Sequence, residues 1–173
     1  KIEITGEETS NVTIVKKNDL LKIKMALNKS FNGNKTFVKL YYIKIDVIDV
    51  NEGAKVASKS PFKQYELELK SQEGGEISVI TNTKLLSIKS VTGGKINVSG
   101  STESQNINIR TGDVYEASLL KALKSKVNIK TGGVAAVSSS EFIEVSIFAG
   151  GNLIIHGKTK SVKELKMIGG RVT

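Results

Sequence analysis

No cysteine and no tryptophan occur in this chain, and proline and histidine occur once each. Without cysteine there is no disulfide, no thiol nucleophile and no thiolate-held metal, and the redox compartment is left open. A lone histidine, His156, excludes a histidine-rich metal site or a pair of catalytic histidines. Aromatic residues make up only 5%, so the core must be assembled from isoleucine, valine and leucine within an apolar fraction of 39%. Those side chains suit a pleated, half-buried surface. Arginine is scarce too: of 26 basic residues only Arg110 and Arg171 carry a guanidinium. The net charge of +9 invites an anionic partner. Base readout and phosphate clamping favour the arginine fork, so nucleic acid is not expected. Lysine on a long β surface also keeps it soluble and discourages edge pairing. No apolar run approaches the ~20 residues of a bilayer-spanning helix. The chain begins at Lys1 rather than Met, as expected where a leader or a membrane-tethering segment precedes it.

What the chain does have is glycine, 16 residues of it, and these are periodic. Gly53, Gly74, Gly93, Gly112, Gly132, Gly150 and Gly169 each interrupt an alternating run, 18 to 21 residues apart. The flanks repeat with them. Three positions after each glycine stand Val56, Ile77, Ile96, Tyr115, Ala135, Leu153 and Val172. Five before stand Ile48, Leu69, Ile88, Ile107, Val127 and Val145, and three before stand Val50, Ser71, Ser90, Ile109, Ile129 and Ile147. The column four before is polar: Lys70, Lys89, Asn108, Asn128 and Ser146. Only the last copy, "LKMIGGRV", is one residue short on its leading side. Each copy therefore holds two short strands with one dry face and one wet face.

Two architectures produce such a pattern. Hairpins at every glycine give an antiparallel meander. Stacked coils give a parallel β-helix that climbs one ~4.8 Å strand spacing per coil. Size and polarity match from copy to copy rather than across the corner, which favours stacking. Asn108 and Asn128 then share a column where amides can bond along the axis. Coils of about nineteen residues leave room for a third face in segments such as "SLLKALKSK" (118–126) and "SSSEFIE" (138–144). The first of these has leucines at helical spacing but is too short to stand as a lone helix. Residues 1–45 lack the repeat. "NVTIVKKNDLLKIKM" reads as two strands around a Lys-Lys-Asn-Asp turn, and "FVKLYYIKIDVIDV" follows the turn signal "FNGNK". A single domain over 1–173 is expected, with an antiparallel cap (1–45) over the first of the coils (46–173), because an open solenoid end exposes apolar columns and unpaired backbone.

The order of these elements resembles the putative auto-transporter adhesin "head GIN" domain family of bacterial envelope proteins. The strand pair in "NVTIVKKNDLLKIKM" leads into "YYIKIDVIDVNEGAKV", then "LLSIKSVTGGKINVSG", "INIRTGDVYEASLL" and a closing run from "VNIKTGGVAAV" through "GGNLIIHGKTKSV". The resemblance covers essentially the whole chain. It implies an all-β, right-handed parallel β-helix and an extracytoplasmic place: secreted, periplasmic or anchored at the outer surface of a bacterium. It brings no catalytic residues. The chain departs from the family's small-residue corners at Glu52-Gly53-Ala54 and Gly112-Asp113, where differently shaped corners are expected.

Candidate chemistry is thin. His156 follows the inward Ile155 and should face solvent. Ser138-Ser139-Ser140 has no positioned base to activate a nucleophile. A glycan lyase or hydrolase, the enzymatic alternative, needs clustered carboxylates, often with calcium, or a placed base. The best cluster is Asp46, Asp49 and Glu52, yet Asp46 and Asp49 have opposite strand parity. Glu73, Glu76, Asp113 and Glu116 are dispersed among the corners. No catalytic residue, metal site or cofactor is expected. The basic column is the better candidate: Lys70 and Lys89, with Arg110 and Lys130 two residues further along their coils, project from adjacent coils and could meet an anionic glycan or an acidic protein surface. The function expected is a non-enzymatic binding or adhesin-like module, with a structural spacer as the other alternative. Oligomeric state is not legible.

Overall fold

The computed structural model describes residues 1–26 and 35–173, which form two compact units, Lys1–Ile43 and Lys44–Thr173. In the first unit, β1 (Ile2–Gly6) pairs antiparallel with β4 (Thr36–Leu40), Ile2 opposite Leu40 and Gly6 opposite Thr36. A 3-10 turn at Thr9–Asn11 precedes β2 (Val12–Lys17), which forms a hairpin with β3 (Leu20–Met25). The expected turn is there: Asn18 takes a left-handed φ of 53°, which asparagine tolerates better than most residues. The "FNGNK" turn is residues 31–35, of which 31–34 lie outside the described residues.

The second unit is a parallel β-solenoid of about seven turns, about 19 residues apart. Its strands are β5 (Val47–Val50), β6 (Lys55–Ala57), β7 (Phe62–Gln72), β8 (Glu76–Val91), β9 (Lys95–Thr111), β10 (Val114–Thr131) and β11 (Val134–Ala149). The last rungs are β12 (Asn152–Ile155), β13 (Ser161–Ile168) and β14 (Arg171–Val172). Every strand pair in this unit is parallel, which selects stacked coils over the meander. The columns legible in the sequence are rows of paired residues. Val56, Ile77, Ile96, Tyr115, Ala135, Leu153 and Val172 follow one another from rung to rung. So do Ile48, Leu69, Ile88, Ile107, Val127 and Val145. Most of these side chains are fully buried, each isoleucine or leucine contributing roughly 1.5–3 kcal/mol. "SLLKALKSK" is strand, lying within β10, and it buries Leu120 and Ala122 while exposing Leu119 and Leu123.

A further inward column escaped the sequence: Leu67, Leu86, Gln105, Ser125 and Ile143. Its polar middle is satisfied inside the coil. The Tyr115 hydroxyl donates to Gln105 Oε1 (2.7 Å), Gln105 Nε2 donates to Ser125 Oγ (2.7 Å), and Ser125 bonds Ser139. Burial pushes the Tyr115 phenol well up, so it stays protonated as a donor.

Hydrogen bonds run through the corners as well as along the faces. The N–H of Gly53 donates to the carbonyl of Glu73 on the next coil, Gly93 to Thr111, and Gly132 to Ala149, each at 3.1 Å. All seven corner glycines have φ between 66° and 78°. The Glu52 corner is not the odd one expected. Glu52 and Gly53 are both left-handed, as are Glu73 with Gly74 and Thr92 with Gly93. The change comes one coil later. In the first three corners the residue before the glycine is left-handed, and at Gly132-Gly133 and beyond the residue after it takes φ near 100°.

Column filling explains the switch. A Cβ on Gly133 would come within 2.7 Å of Ile109 Cγ2, so only glycine fits above that isoleucine. By the same stacking Asp113 follows Ser90, a small residue, and a side chain has room. Asp113 is fully buried, and its carboxylate accepts the N–H of Gly94 (2.8 Å), Arg110 (3.1 Å) and Thr111 (3.1 Å). It ties two coils together from a position that is alanine or glycine in the other corners.

The rung that is one residue short keeps its corner and loses its faces. The Gly150 N–H still reaches Ile168 O at 2.9 Å. Glu164 therefore falls in line with Val145 and Lys166 with Ile147, while Leu165 and Met167 turn outward, 61% and 63% exposed. A shift by one residue exchanges the two faces of a strand.

Two consequences are measurable by urea unfolding. Thr92 is β-branched at φ 61° and exposed, so Thr92→Asn should raise stability by roughly 0.5–1 kcal/mol, whereas Gly132→Ala should lower it by about 1–2 kcal/mol. Asp113→Ala removes the acceptor of three N–H groups, one buried and two half-buried, and should cost about 2–3 kcal/mol. A neutral result at Asp113 would contradict its role as the corner tie.

Candidate functional site

The candidate face is the outward side of the sheet that runs from β7 to β11. Alternation along each strand fixes which side chains it shows, and the register fixes their neighbours. Lys70 lies beside Lys89, then Asn108, Asn128 and Ser146 on successive rungs. Arg110 and Lys130 occupy the next outward column, between the paired Ile109 and Ile129 on one side and Thr111 and Thr131 on the other. Adjacent rungs stand ~4.8 Å apart. The four sequence-predicted residues thus share one face, in two columns.

Their charges are not equivalent. Glu68, one step back on the same face, takes both lysines of the first column: Lys89 Nζ at 2.6 Å from Oε1 and Lys70 Nζ at 3.1 Å from Oε2. Partial burial pushes the Glu68 carboxyl up, but the hydrogen bonds from Lys89 and Lys70 more than offset this and hold its pKa below the usual value. Arg110 and Lys130 have no carboxylate within ion-pair distance among the described residues. Between the columns the asparagines engage one another, Asn128 Nδ2 donating to Asn108 Oδ1 (3.3 Å) and Asn108 Nδ2 to Asn106 Oδ1 (3.4 Å). The expected amide ladder is present, and Asn108 and Asn128 each use an amide donor within it. Along the Arg110 column the next rung presents Phe148, 52% exposed.

The sequence missed Glu68 as part of this face. Its signal was the Glu-x-Lys alternation in "ELELK", which places Glu68 and Lys70 on one side of a strand.

Elsewhere the candidate groups stay apart or are occupied. His156 is exposed, and its backbone N–H donates to Val137 O at 2.8 Å. Ser139 is buried in the hydroxyl chain with Ser125, whose members offer no base. Asp46 pairs with Lys44 (2.7 Å), and Asp49 accepts a long hydrogen bond from Gln72 (3.4 Å). Among the described residues no three histidine, aspartate or glutamate side chains are grouped to hold a metal. Among the described residues no helix is long and apolar enough to cross a membrane.

Residues 1–159 match the family described as putative auto-transporter adhesin, head GIN domain. No curated protein matches. Three solved structures are similar in fold. A putative adhesin from Bacteroides fragilis aligns with a TM-score of 0.87 at 16% identity, over 99% of this chain and 80% of that one. A putative adhesin from Parabacteroides merdae gives 0.71 at 20% identity, covering 99% and 81%. A putative lipid binding protein from Parabacteroides distasonis gives 0.70 at 16% identity, covering 99% and 83%. At these identities the likeness speaks for the fold alone.

The Glu68 cluster has a pH signature. Folding lowers this carboxyl's pKa, so it contributes stability above the ordinary glutamate value, about 4.3, and the contribution is lost as pH falls through the lowered folded value. Glu68→Gln should flatten the stability-against-pH curve across that window in urea unfolding. An unchanged slope would show the pairing to be energetically idle.

Proposed function

The chain belongs to the putative auto-transporter adhesin, head GIN domain family, and from that premise we propose that it is a non-catalytic binding module working outside the cytoplasm. Its ligand is an anionic glycan held on the Arg110 and Lys130 face. The observation that carries this reading is the pair of stacked cations on adjacent rungs with no carboxylate partner among the described residues, on a sheet where Glu68 pairs with both neighbouring lysines and offsets one of their two charges. A rigid face with cations at the rung spacing matches a polymer with regularly spaced negative charge, and the +9 net charge draws such a polymer in. Lys70 and Lys89 belong to the site as its border, held in place by Glu68 and available to a ligand that displaces it.

The non-catalytic part of the reading is supported by the state of the carboxylates. Glu68, Glu76, Glu103 and Glu144 each sit against a lysine, at 2.6–3.3 Å for the shorter contacts. Glycosidic cleavage needs two carboxyl groups facing each other across a cleft. A second reading draws on Phe148: an exposed aromatic continuing the Arg110 column suits an anionic amphiphile, and one structural neighbour is named a putative lipid binding protein.

Binding to an array of sulfated and uronic-acid glycans, with anionic lipid vesicles and an acidic protein as parallel arms, tests the proposal. The expected outcome is glycan binding that weakens with added salt and falls about tenfold or more, at least 1.4 kcal/mol, in the Arg110→Glu/Lys130→Glu variant. Vesicle binding lost in Phe148→Ala would move the assignment to the second reading. Absence of salt-sensitive binding in every arm would sink both.

A further inference from the structure

A different part of the solenoid carries groups that the fold leaves unclaimed. Between β7 and β10 lies a hollow of about 660 Å³. One wall is the column Tyr65, Lys84, Glu103 and Leu123, one residue from each of four rungs, which spans ~14 Å at the usual rung spacing. The other is the column Asn82, Ser101 and Lys121, paired rung to rung. Thr83 and Thr102 form the floor, buried, with their hydroxyls 3.3 Å apart.

Several outward polar side chains of this solenoid are held by partners on their own or a neighbouring rung. Asn97 donates to Ser78 (3.2 Å), Asn128 to Asn108, and Lys70 and Lys89 to Glu68. In the hollow, the Asn82 amide, the Ser101 hydroxyl and the Tyr65 hydroxyl have no hydrogen-bond partner among the described residues, and the Tyr65 ring is 63% exposed. Lys84 and Glu103 neutralise each other at 3.3 Å, which leaves Lys121 as the one charge in the lining without an ion-pair partner among the described residues.

We propose that this hollow is a second binding site, separate from the cationic face, and that it takes a neutral oligosaccharide. A pyranose ring offers an apolar C–H face, which the Tyr65 ring and the Leu123 side chain can cover. Its hydroxyls are donors and acceptors at once, matching an amide and a hydroxyl that lack internal partners. An extended peptide fits less well. It would be recognised through backbone hydrogen bonds to a sheet edge, and β8 and β9 are paired on both sides here. The site goes beyond the proposed anionic-glycan face and shares no residue with it.

The test is titration of the isotope-labelled protein with cellotetraose, maltotetraose and mannotetraose by NMR, alongside a printed array of neutral glycans. Binding of at least one neutral oligosaccharide is expected, with shifts confined to residues around Asn82, Ser101 and Tyr65. Tyr65→Ala should weaken it about tenfold, Tyr65→Phe should keep most of it, and Asn82→Ala or Ser101→Ala should each cost several-fold. Arg110→Glu/Lys130→Glu should leave it unchanged. Tyr65 is exposed, so equal melting temperatures will show that its variants fold. The proposal is overturned if no neutral glycan binds, if Tyr65→Ala binds as well as the native chain, or if the Arg110/Lys130 variant abolishes binding.

Discussion

Parallel stacking in register is the constraint on which the rest of this structure depends. Each rung satisfies its backbone through the rung before and the rung after, and the bonds continue through the corners, as Gly53 to Glu73 and Gly132 to Ala149 show. A coil can bend between rungs only where the bend repeats in the same place. That is why a left-handed glycine recurs in all seven corners, and why whatever fills a position is judged against the residue stacked on it.

The same rule allocates side chains. Inside, like sits on like: Ile77 on Ile96, Ile88 on Ile107, Ile109 on Ile129. Where a column turns polar it does so on neighbouring rungs together, so that Gln105 meets Ser125 and a buried Tyr115 finds an acceptor. At the corners the size of the residue below decides what may stand above, glycine over Ile109 and an anchoring aspartate in the coil that follows Ser90. Outside, the rule brings charges of one strand beside those of the next, which is how one glutamate comes to hold two lysines. A face of stacked coils is a fixed lattice of side chains, and what it can bind depends on which lattice points remain unclaimed.

How much of this could be read in advance varies by feature. The glycine period, the apolar columns and the Asn108 and Asn128 ladder were legible because each repeats at constant offset from a glycine. The Gln105 column was missed although it too keeps a constant offset, seven before each corner glycine, because two of its members, Gln105 and Ser125, are polar and break the apolar pattern. The four basic residues were legible as a face, but their unequal standing was not. Lys70 and Lys89 look like Lys130 in the sequence and differ only in having Glu68 within reach. The hollow at Tyr65 left no mark in the pattern, because it is made by the small size of Asn82 and Ser101 beside larger neighbours on other rungs.

The sequence by itself determined the architecture: nineteen-residue repeats with matching columns admit stacked coils, since only stacking places equivalent residues together. The tertiary structure decided everything that depends on pairs distant in sequence. It decided which cations are paired, which carboxylate ties two coils, and that the short final copy keeps its glycine in line and sends Leu165 and Met167 outward. A period along the chain records that coils repeat. Only the stacked coils show which side chain lies within a few ångströms of another, and that distance sets charge, hydrogen bonding and open space.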